Sequence, residues 1–368
     1  MPERLNGGDI VKRMSKAIVL ESPNTFVKKE FEVPELRDDG IIMRVEMTSI
    51  CASDKKLMAG THSRSSFPKI LGHEVVGFVE EIGPKAREAY GVDVGDRITI
   101  EPYVACTSCK YCLSGDYQAH VPFCNYGVGL TCDQWPYLLG GYAEYMYLVP
   151  GTKLYKINSD VPAESACLSS VVANGIRWVR TKGRAQFGDS LVIIGAGAQG
   201  LASVIAAKES GAYPITVVGI GKDSVKFRLA RELGADYCIN LEETDVKQEV
   251  KKITGGEMAD IVIEASGFPS SIALALDVVK TCGRVVMCGL SGGKQIPVVT
   301  DRIVNDELVV YGGHGQAWDV EDACNLINSR KYPIEKMISH IFKLDDTVEG
   351  MNLFKAAPPE CIRVGLVP

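Results

Sequence analysis

The sequence predicts an α/β protein with two domains, a partly open β-barrel and a doubly wound parallel sheet. In the first half of the chain, short apolar runs alternate with turn residues, which is typical of β-strands joined by turns. In the second half, short apolar strands alternate with helical segments, as in a parallel sheet covered by helices. A chain of 368 residues is long for one core and suits two domains.

Composition and charge narrow the class of protein. Apolar residues make up 46% of the chain and charged residues 23%, which are ordinary proportions for a soluble globular protein. The net charge of −6 gives no basic face for nucleic acid, and no apolar run approaches the length of a membrane span. We therefore expect neither nucleic acid nor a membrane as a partner.

The termini and the cysteines bear on location. The stretch up to about Arg13 is polar and charged and lacks the apolar segment of a signal peptide. We expect it to form a loose extension. Twelve cysteines could form a disulfide scaffold, but in a large chain without a secretion signal they favour metal binding or catalysis. We therefore predict a cytoplasmic protein.

The barrel strands are predicted in three stretches, residues 15–47, 74–82 and 96–100. The first stretch holds two apolar bursts, residues 17–20 and 41–45, with the turn residues of 38–40 between them. This pattern predicts strands with connecting turns rather than helices.

A thiol, an imidazole and a carboxylate occur close together within the predicted barrel. Cys51, His73 and Glu74 offer the ligand types that Zn²⁺ takes, and a catalytic zinc uses three protein ligands and leaves one position open. We predict these three as the metal ligands, although a buried cysteine and a core histidine are the alternative. Asp54 would fix the tautomer of His73 through its other ring nitrogen. Ser53 would lie beside the open position and relay a proton.

The sequence Cys-x-Ser-Asp at residues 51–54, followed by Gly-His-Glu at 72–74, resembles the zinc-dependent medium-chain alcohol and polyol dehydrogenases. The resemblance extends over about residues 14–367. It implies a GroES-like catalytic domain of residues 1–170 and 312–368, and a Rossmann domain of residues 171–311. It also implies a homodimer or homotetramer.

A second group of cysteines follows. Cys106, Cys109 and Cys112 are separated by two residues each, so their thiolates can converge on one ion. His120 lies where the resemblance places a fourth cysteine, whereas Cys124 has the better-matched chemistry one turn further on. We favour His120 slightly, which gives a structural zinc site of three cysteines and one histidine. A reduced lobe without metal is the alternative.

The resemblance also bears on the third ligand of the catalytic zinc. Many alcohol dehydrogenases carry a Cys, Asp or Glu at the position of Ser170, and a neutral hydroxyl is a poor zinc ligand. This favours Glu74 as the third ligand, as in the polyol-dehydrogenase branch. Cys167 is near but out of register, and we interpret it as a small buried residue. Lys56 stands near the usual relay histidine, which leaves the relay to Ser53.

The dinucleotide site is predicted at the start of the second domain. Leu191–Ile194 is a wholly apolar run, as in a strand buried on both faces, and it leads into GAGAQG at residues 195–200 and a predicted helix at 201–210. Gly195 would make the tight turn, Gly197 would admit the pyrophosphate and Gly200 would pack helix on strand. With Gln199, these residues are the predicted cofactor site, where the helix N-terminus supplies donors.

The alternation continues through the rest of this domain. Strands are predicted at residues 215–218, 260–264, 284–288 and 307–310. Helices are predicted at residues 224–233, 246–253 and 270–281. This order predicts a doubly wound parallel sheet. Arg363 matches a family position that reaches the cofactor pyrophosphate, and a solvated surface arginine is the alternative.

The choice between NAD and NADP stays open. An acid at the end of the second strand usually binds the adenosine ribose, but Gly219 occupies that position. Lys222, with Lys226 and Arg228, could attract the phosphate of NADP. The loop is longer than the usual family spacing, and that length could return Asp223 to the ribose and restore NAD preference. We predict a nicotinamide cofactor without choosing.

The predicted zinc site and the predicted nucleotide site together indicate a reversible oxidation of an alcohol, with hydride transfer to NAD or NADP. A secondary alcohol or a polyol is the favoured substrate. One alternative is a zinc-independent quinone or enoyl reductase of the same fold, which would not need Cys51, His73 and Glu74 together. Another is a non-catalytic nucleotide-sensing protein, which would have no reason to keep Ser53 and Asp54.

Overall fold

The structure is a computed structural model that describes residues 12–62, 65–120 and 125–368. The strands of these residues are β1 (Met14–Ser22), β2 (Thr25–Glu32), β3 (Ile41–Ser49), β4 (Lys69–Ile70), β5 (Val75–Ile82), β6 (Arg97–Ile100), β7 (Tyr145–Leu148), β8 (Leu154–Lys156), β9 (Leu191–Ile194), β10 (Ile215–Gly219), β11 (Tyr237–Asn240), β12 (Ala259–Glu264), β13 (Val279–Met287), β14 (Val309–Gly312), β15 (Ile338–Lys343) and β16 (Arg363–Val367). The α-helices are α1 (Ala52–Met58), α2 (Pro84–Tyr90), α3 (Lys110–Leu113), α4 (Ala163–Ala166), α5 (Ser169–Ile176), α6 (Ala198–Glu209), α7 (Ser224–Leu233), α8 (Val246–Ile253), α9 (Pro269–Asp277), α10 (Asp301–Asn305), α11 (Asp319–Asn328) and α12 (Thr347–Ala356). None of the described helices is both long and apolar enough to cross a membrane.

The first half of the chain, together with β15 and β16 from its end, forms two mostly antiparallel sheets, and its alternating pattern predicts such strands. One has the order β2-β1-β4, and the other has the order β15-β16-β3-β5-β6-β8 with β7 also paired to β3. The apolar residues of β3 and β5 lie mainly in one buried cluster, and those of β1 lie in another. The predicted barrel of strands and turns is confirmed. The predicted N-terminal extension lies outside the described residues, apart from its last two.

The second half forms a six-stranded parallel sheet in the order β11-β10-β9-β12-β13-β14. β9 lies between β10 and β12 and is completely buried. Leu191 and Ile193 pack in one core cluster and Val192 and Ile194 in another, because successive side chains of a strand point to opposite faces. The sheet is therefore covered on both faces, and the predicted doubly wound fold is confirmed.

Some predicted limits were wrong. The helix expected at residues 270–281 ends at Asp277, because the β-branched Val278 and Val279 are buried and β13 begins there. The strand expected at residues 307–310 begins only at Val309, after Glu307 with its positive φ of 48°. The short strand β11 was missed, since its residues alternate only weakly.

The C-terminal strand, β16, joins the seven-stranded sheet that contains β3. β16 pairs with β3 through Gly365 opposite Ser49, and the amide of Ile50 donates to the carbonyl of Val364 at 2.8 Å. This pairing brings residues from the end of the chain next to Cys51. The exact domain limits at residues 170 and 312 stay a prediction.

A close backbone contact fixes the segment before His73. Gly72 and Gly127 both have positive φ, at 92° and 65°. A Cβ on Gly127 would lie 2.5 Å from the carbonyl oxygen of Gly72, so a side chain there would displace the residue that precedes His73. Only glycine meets both requirements at residue 127.

We expect Gly127→Ala to lower the free energy of unfolding by about 3 kcal/mol, the sum of the left-handed backbone cost and overpacking. Gly91→Ala is the matched control, because Gly91 has a φ of 63° but no atom lies within 4 Å of the place that a Cβ would take there. That control should lose only about 1 kcal/mol. Denaturant unfolding measures both values, and equal losses would contradict the close contact.

Candidate active site

Two strand ends bring the candidate ligands together. β3 ends at Ser49, two residues before Cys51, and β5 begins directly after Glu74. The strands are antiparallel, and the amide of Ser49 donates to the carbonyl of Glu74 at 2.9 Å. The residues that follow one strand therefore meet those that precede the other.

The donor atoms of Cys51, His73 and Glu74 all lie within 4.8 Å of one another. These residues are 9%, 8% and 2% exposed. A thiolate, an imidazole and a carboxylate at this spacing can share one ion of the size and preference of Zn²⁺. The donor set therefore fits zinc, and a tetrahedral ion bound by these three residues would keep a fourth position open.

Asp54 lies on the far side of the histidine ring. Its Oδ1 is 3.6 Å from Nδ1 of His73, and neither of these buried atoms has another partner among the described residues. Its Oδ2 accepts from the amide of Cys51 at 2.8 Å and from the hydroxyl of Tyr142 at 3.1 Å. Burial raises the pKa of Asp54, while His73 and these donors act to lower it. Asp54 is thus placed to orient Nδ1, which leaves Nε2 for a metal.

The charges of the site favour a cation. Burial acts to lower the pKa of His73, but the nearby Cys51, Asp54 and Glu74 outweigh it and raise the pKa to about 10. The acidic groups therefore hold a proton on the ring far above its ordinary range. A divalent cation would satisfy the same negative surroundings and displace that proton.

Ser53 lies near Nε2 of His73, the ring nitrogen opposite the one that faces Asp54. Its Oγ is 3.4 Å from Nε2 of His73, the nitrogen that would face the metal. Ser53 lies in the first turn of α1, whose N-cap is Cys51. The short helix α1, which begins after Cys51, therefore places the hydroxyl of Ser53 beside the place where a metal would bind.

Glu74 has a second set of contacts that the sequence did not reveal. Its Oε1 accepts from Nη2 of Arg363 at 3.0 Å, and its Oε2 accepts from the hydroxyl of Ser49. Arg363 is 3% exposed and also donates from Nη1 to the carbonyl of Ile50 at 2.8 Å. The alternative of a solvated surface arginine is wrong. The reach of Arg363 to a pyrophosphate stays a prediction.

The second group of thiols also converges. The donor atoms of Cys106, Cys109, Cys112 and His120 lie within 4.8 Å of one another. Nδ1 of His120 is 3.3 Å from Sγ of Cys109, and Sγ of Cys106 is 3.7 Å from Sγ of Cys112. The set fits a tetrahedral zinc with His120 as the fourth ligand. Cys124, the other candidate, lies outside the described residues.

Ser170 and Cys167 lie near this region with other partners. The hydroxyl of Ser170 accepts from Nε2 of Gln316 at 2.8 Å. The thiol of Cys167 contacts the carbonyl of Glu164 at 3.4 Å, and burial raises its pKa well above the ordinary value. A buried protonated thiol is a poor metal ligand. The interpretation of Cys167 as a small buried residue agrees with these contacts.

The three glycines of the turn after β9 differ in their surroundings. Gly195 has a φ of 113°, and a Cβ on Gly200 would lie 1.9 Å from the carbonyl oxygen of Gly195. Gly197 is the N-cap of α6, and a Cβ on it would have no atom within 4 Å. Gln199 keeps a buried Oε1 without a partner among the described residues. The turn thus leaves space at the start of α6, where a phosphate group can bind.

Asp223 returns to the end of β10. Its Oδ2 lies 2.9 Å from the position of a Cβ on Gly219 and accepts from the amide of Ile220 at 3.1 Å. Its Oδ1 binds Nζ of Lys226 at 2.7 Å. A carboxylate therefore lies where a strand-end acid would place it, and Lys226 is paired with it. Lys222 is exposed.

Comparisons with known proteins agree with this arrangement. The family model of the alcohol dehydrogenase GroES-like domain matches residues 37–159, and that of the zinc-binding dehydrogenases matches residues 198–329. A Mycobacterium tuberculosis protein described as a probable alcohol dehydrogenase is 33% identical over 338 residues, which cover 90% of this chain and 91% of that protein. The erythritol/L-threitol dehydrogenase of Mycolicibacterium smegmatis is 30% identical and covers 97% of this chain and 99% of its own length.

Solved structures are similar over nearly the whole chain. An alcohol dehydrogenase from Thermotoga maritima has a TM-score of 0.89 and 26% identity, covering 97% of this chain and 100% of that chain. A zinc-binding dehydrogenase from Sinorhizobium meliloti, bound to NADP, has a TM-score of 0.85 and 25% identity, with the same coverage of both chains. The fold of those proteins is therefore the fold of this chain.

The two donor sets predict the metal content. We expect two zinc ions per wild-type chain, one in Cys51→Ala and one in Cys109→Ala, because each change removes a thiolate from one set only. Elemental analysis of the purified variants measures this. One zinc in the wild type, retained by Cys109→Ala, would mean that the second group of thiols is a reduced lobe without metal.

Proposed function

The chain belongs to the zinc-dependent medium-chain dehydrogenases, and we propose on this premise that Cys51, His73 and Glu74 form the catalytic metal centre of a reversible alcohol oxidation. The observation that carries the proposal is the convergence of three buried donor atoms within 4.8 Å. The chain is an oxidoreductase that uses zinc and NAD or NADP. In this chemistry zinc supplies Lewis acidity, and the nicotinamide accepts a hydride.

The residues of the chain hold and orient the reactants. Cys51, His73 and Glu74 hold the metal, and Asp54 keeps the ring of His73 in one orientation through Nδ1. Arg363 offsets the charge of Glu74, so that the site is not left with an unpaired buried carboxylate. Ser53 would relay the proton of the substrate hydroxyl, accepting it at Oγ while its own hydroxyl proton passes outward to the ribose hydroxyls of the cofactor. Removal of a proton through Ser53 and of a hydride by a bound nicotinamide would leave a carbonyl.

We favour a secondary alcohol or a polyol as the substrate. Glu74, rather than a residue at position 170, completes the ligand set, and the resemblance to the polyol-dehydrogenase branch rests on this feature. Relatives that match most of the chain include proteins named for erythritol and L-threitol and for sorbitol. A polyol offers a second hydroxyl group beside the one that is oxidised, and the hydroxyl of Ser170 is our candidate to bind it, because many alcohol dehydrogenases have a metal ligand at this position.

Location and assembly stay predictions. We propose a cytoplasmic protein, because eleven described cysteines are free thiols, as a reducing compartment allows. We propose a homodimer or homotetramer, since β14 is an edge strand whose Val309 and Val310 are each 41% exposed. Sedimentation velocity would distinguish these assemblies from a monomer.

A substrate panel tests the function. We expect oxidation of polyols and secondary alcohols with at least one of NAD and NADP, and loss of turnover in Cys51→Ala because the catalytic metal is lost. Circular dichroism controls for folding of the variant. Activity on quinones or enones that survives complete zinc removal would instead indicate the zinc-independent reductase. Cofactor binding without turnover on any alcohol would indicate a nucleotide-sensing protein.

The position of Asp223 predicts the cofactor preference. If its carboxylate binds the ribose hydroxyls, Asp223→Ala should raise the KM for NAD about tenfold and leave the KM for NADP unchanged, the loss expected for a charged hydrogen bond. Glu242→Ala is the matched control, since Glu242 is an acid of the next strand end that accepts from the amide of Gly221 at 2.8 Å. Equal changes in both KM values, or none, would assign the choice to Gly219 and Lys222.

A further inference from the structure

Residues 313–318, which we call the strap, connect β14 to α11. At its second-domain end the carbonyl of Ala317 accepts from Nη1 of Arg177 at 3.2 Å, and the amide of Ala317 donates to Oδ2 of Asp319 at 3.1 Å. Arg177 and Asp319 form an ion pair at 3.3 Å, and each is 4% exposed. A buried ion pair therefore fixes the strap to the second domain.

At its other contact the strap meets the thiol lobe, residues 106–120. The amide of Trp318 donates to the hydroxyl of Tyr117 at 2.6 Å, and that hydroxyl donates to Oε2 of Glu101 at 2.8 Å. The two rings meet edge to face with centroids 5.5 Å apart. Trp318 has a φ of 68°, which is uncommon for a bulky residue, so this contact accompanies a strained backbone.

Lys153 joins the same contact. Its Nζ lies 3.1 Å from the ring centroid of Tyr117 and 4.4 Å from that of Trp318. This nitrogen is buried and has no hydrogen-bond partner among the described residues, so the two aromatic rings and the nearby charge of Glu101 stabilise it. The ammonium therefore holds a ring of the lobe and a ring of the strap together.

The middle of the strap contacts α5, the helix that holds Ser170. Gln316 and Ser170 are 2% and 4% exposed, and Gln316 donates its hydrogen bond of 2.8 Å to Ser170. Ser169 precedes Ser170 in the chain, and its Oγ lies 2.7 Å from Oγ1 of Thr99. The hydroxyl of Thr99 in turn donates to the carbonyl of Val75, the residue after Glu74, at 2.8 Å. The first turn of α5, which holds Ser170, is therefore joined to the strand that follows a candidate metal ligand.

The hydroxyl of Ser170 has an unused donor. A serine hydroxyl donates one hydrogen bond and accepts two, and Gln316 already donates to it. No described protein atom accepts the proton of this nearly buried hydroxyl. The proton is therefore left for an acceptor that is not a described protein atom.

We propose that the strap makes the thiol lobe a positioning element of the active site, by holding Gln316 and through it the hydroxyl of Ser170. Tyr117 and Lys153 are the positioning residues, and neither is a candidate metal ligand. The inference rests on the proposed function, because the alcohol-oxidising site is the target of this positioning. The contacts from Tyr117 through the strap to Ser170 would connect the thiol lobe with that site, a connection that the candidate metal ligands do not make.

The location of Tyr117 makes the path depend on the lobe metal. Tyr117 begins the 3₁₀ turn Tyr117–Ala119, which directly precedes His120, and Cys112 lies on the other side of it. Ions in structural zinc sites contribute directly to folding. A metal on Cys106, Cys109, Cys112 and His120 would fix this turn, and its loss would release Tyr117 from Trp318.

The first test removes one hydroxyl. Tyr117→Phe keeps the ring but loses the acceptor for Trp318, and we expect it to retain two zinc ions and to lower kcat/KM about fivefold, the effect of one neutral hydrogen bond. Lys153→Met should act in the same direction. Tyr111→Phe is the matched control, because Tyr111 lies on the same lobe but is 40% exposed. An equal loss in this control would overturn the proposal.

The second test separates positioning from general destabilisation. If Tyr117 acts through Ser170, the double variant Tyr117→Phe/Ser170→Ala should be no less active than Ser170→Ala alone, because contributions along one path are not additive. Multiplied losses would overturn the proposal. If the wild type as well as these variants lacked turnover on every alcohol, the proposed function would fail, and the third test would still decide the path.

The third test does not use activity. The quenching of Trp318 by acrylamide, taken as the difference between a protein and its Trp318→Phe form, should increase in Tyr117→Phe and in Cys109→Ser, which lacks the lobe metal. Trp135 and Trp178, the other tryptophans, cancel in this difference. Unchanged quenching in both variants, with the second-domain fold intact by circular dichroism, would overturn the coupling between lobe and strap.

Discussion

The ion pair between Glu74 and Arg363 is the interaction on which the arrangement of the active site depends. Its partners are 289 residues apart and 2% and 3% exposed, so neither charge is solvated. Removing one partner of a buried pair costs about 3–5 kcal/mol, because the other is left without compensation. The pair forms only when β16 is paired with β3. The return of the chain to its first sheet is thus a condition for a charged ligand at this position.

The carboxylate of Asp54 contacts two of the candidate metal ligands, His73 and Cys51. Asp54 orients one nitrogen of His73, the amide of Cys51 binds Asp54, and Cys51 begins the helix that carries Ser53. The amide of Cys51 satisfies one oxygen of the buried Asp54, whereas Oδ1 of Asp54 and Nδ1 of His73 have no hydrogen-bond partner among the described residues. The negative charge of the cluster is what raises the pKa of His73 and what a divalent cation would balance.

The sequence predicted what short segments determine. The glycine turn at residues 195–200 and the spacing of Cys106, Cys109 and Cys112 are local, and the structure places them as expected. Contacts between distant segments could not be predicted, because no local pattern encodes them. The contact of Arg363 with Glu74 and that of Trp318 with Tyr117 are of this kind. The end of α9 was missed for a related reason, since burial in the sheet overrides helix propensity.

Asp223 lies on a short 3₁₀ turn, Gly221–Asp223, and not in the strand β10 itself. The carboxylate at the strand end is therefore supplied by a loop outside the buried core of the sheet. Insertion or deletion of a residue in that loop would move the charge without disturbing a strand. If Asp223 binds the ribose as proposed, a lineage with this design can change its nucleotide preference by altering loop length, while the stability of the parallel sheet is preserved.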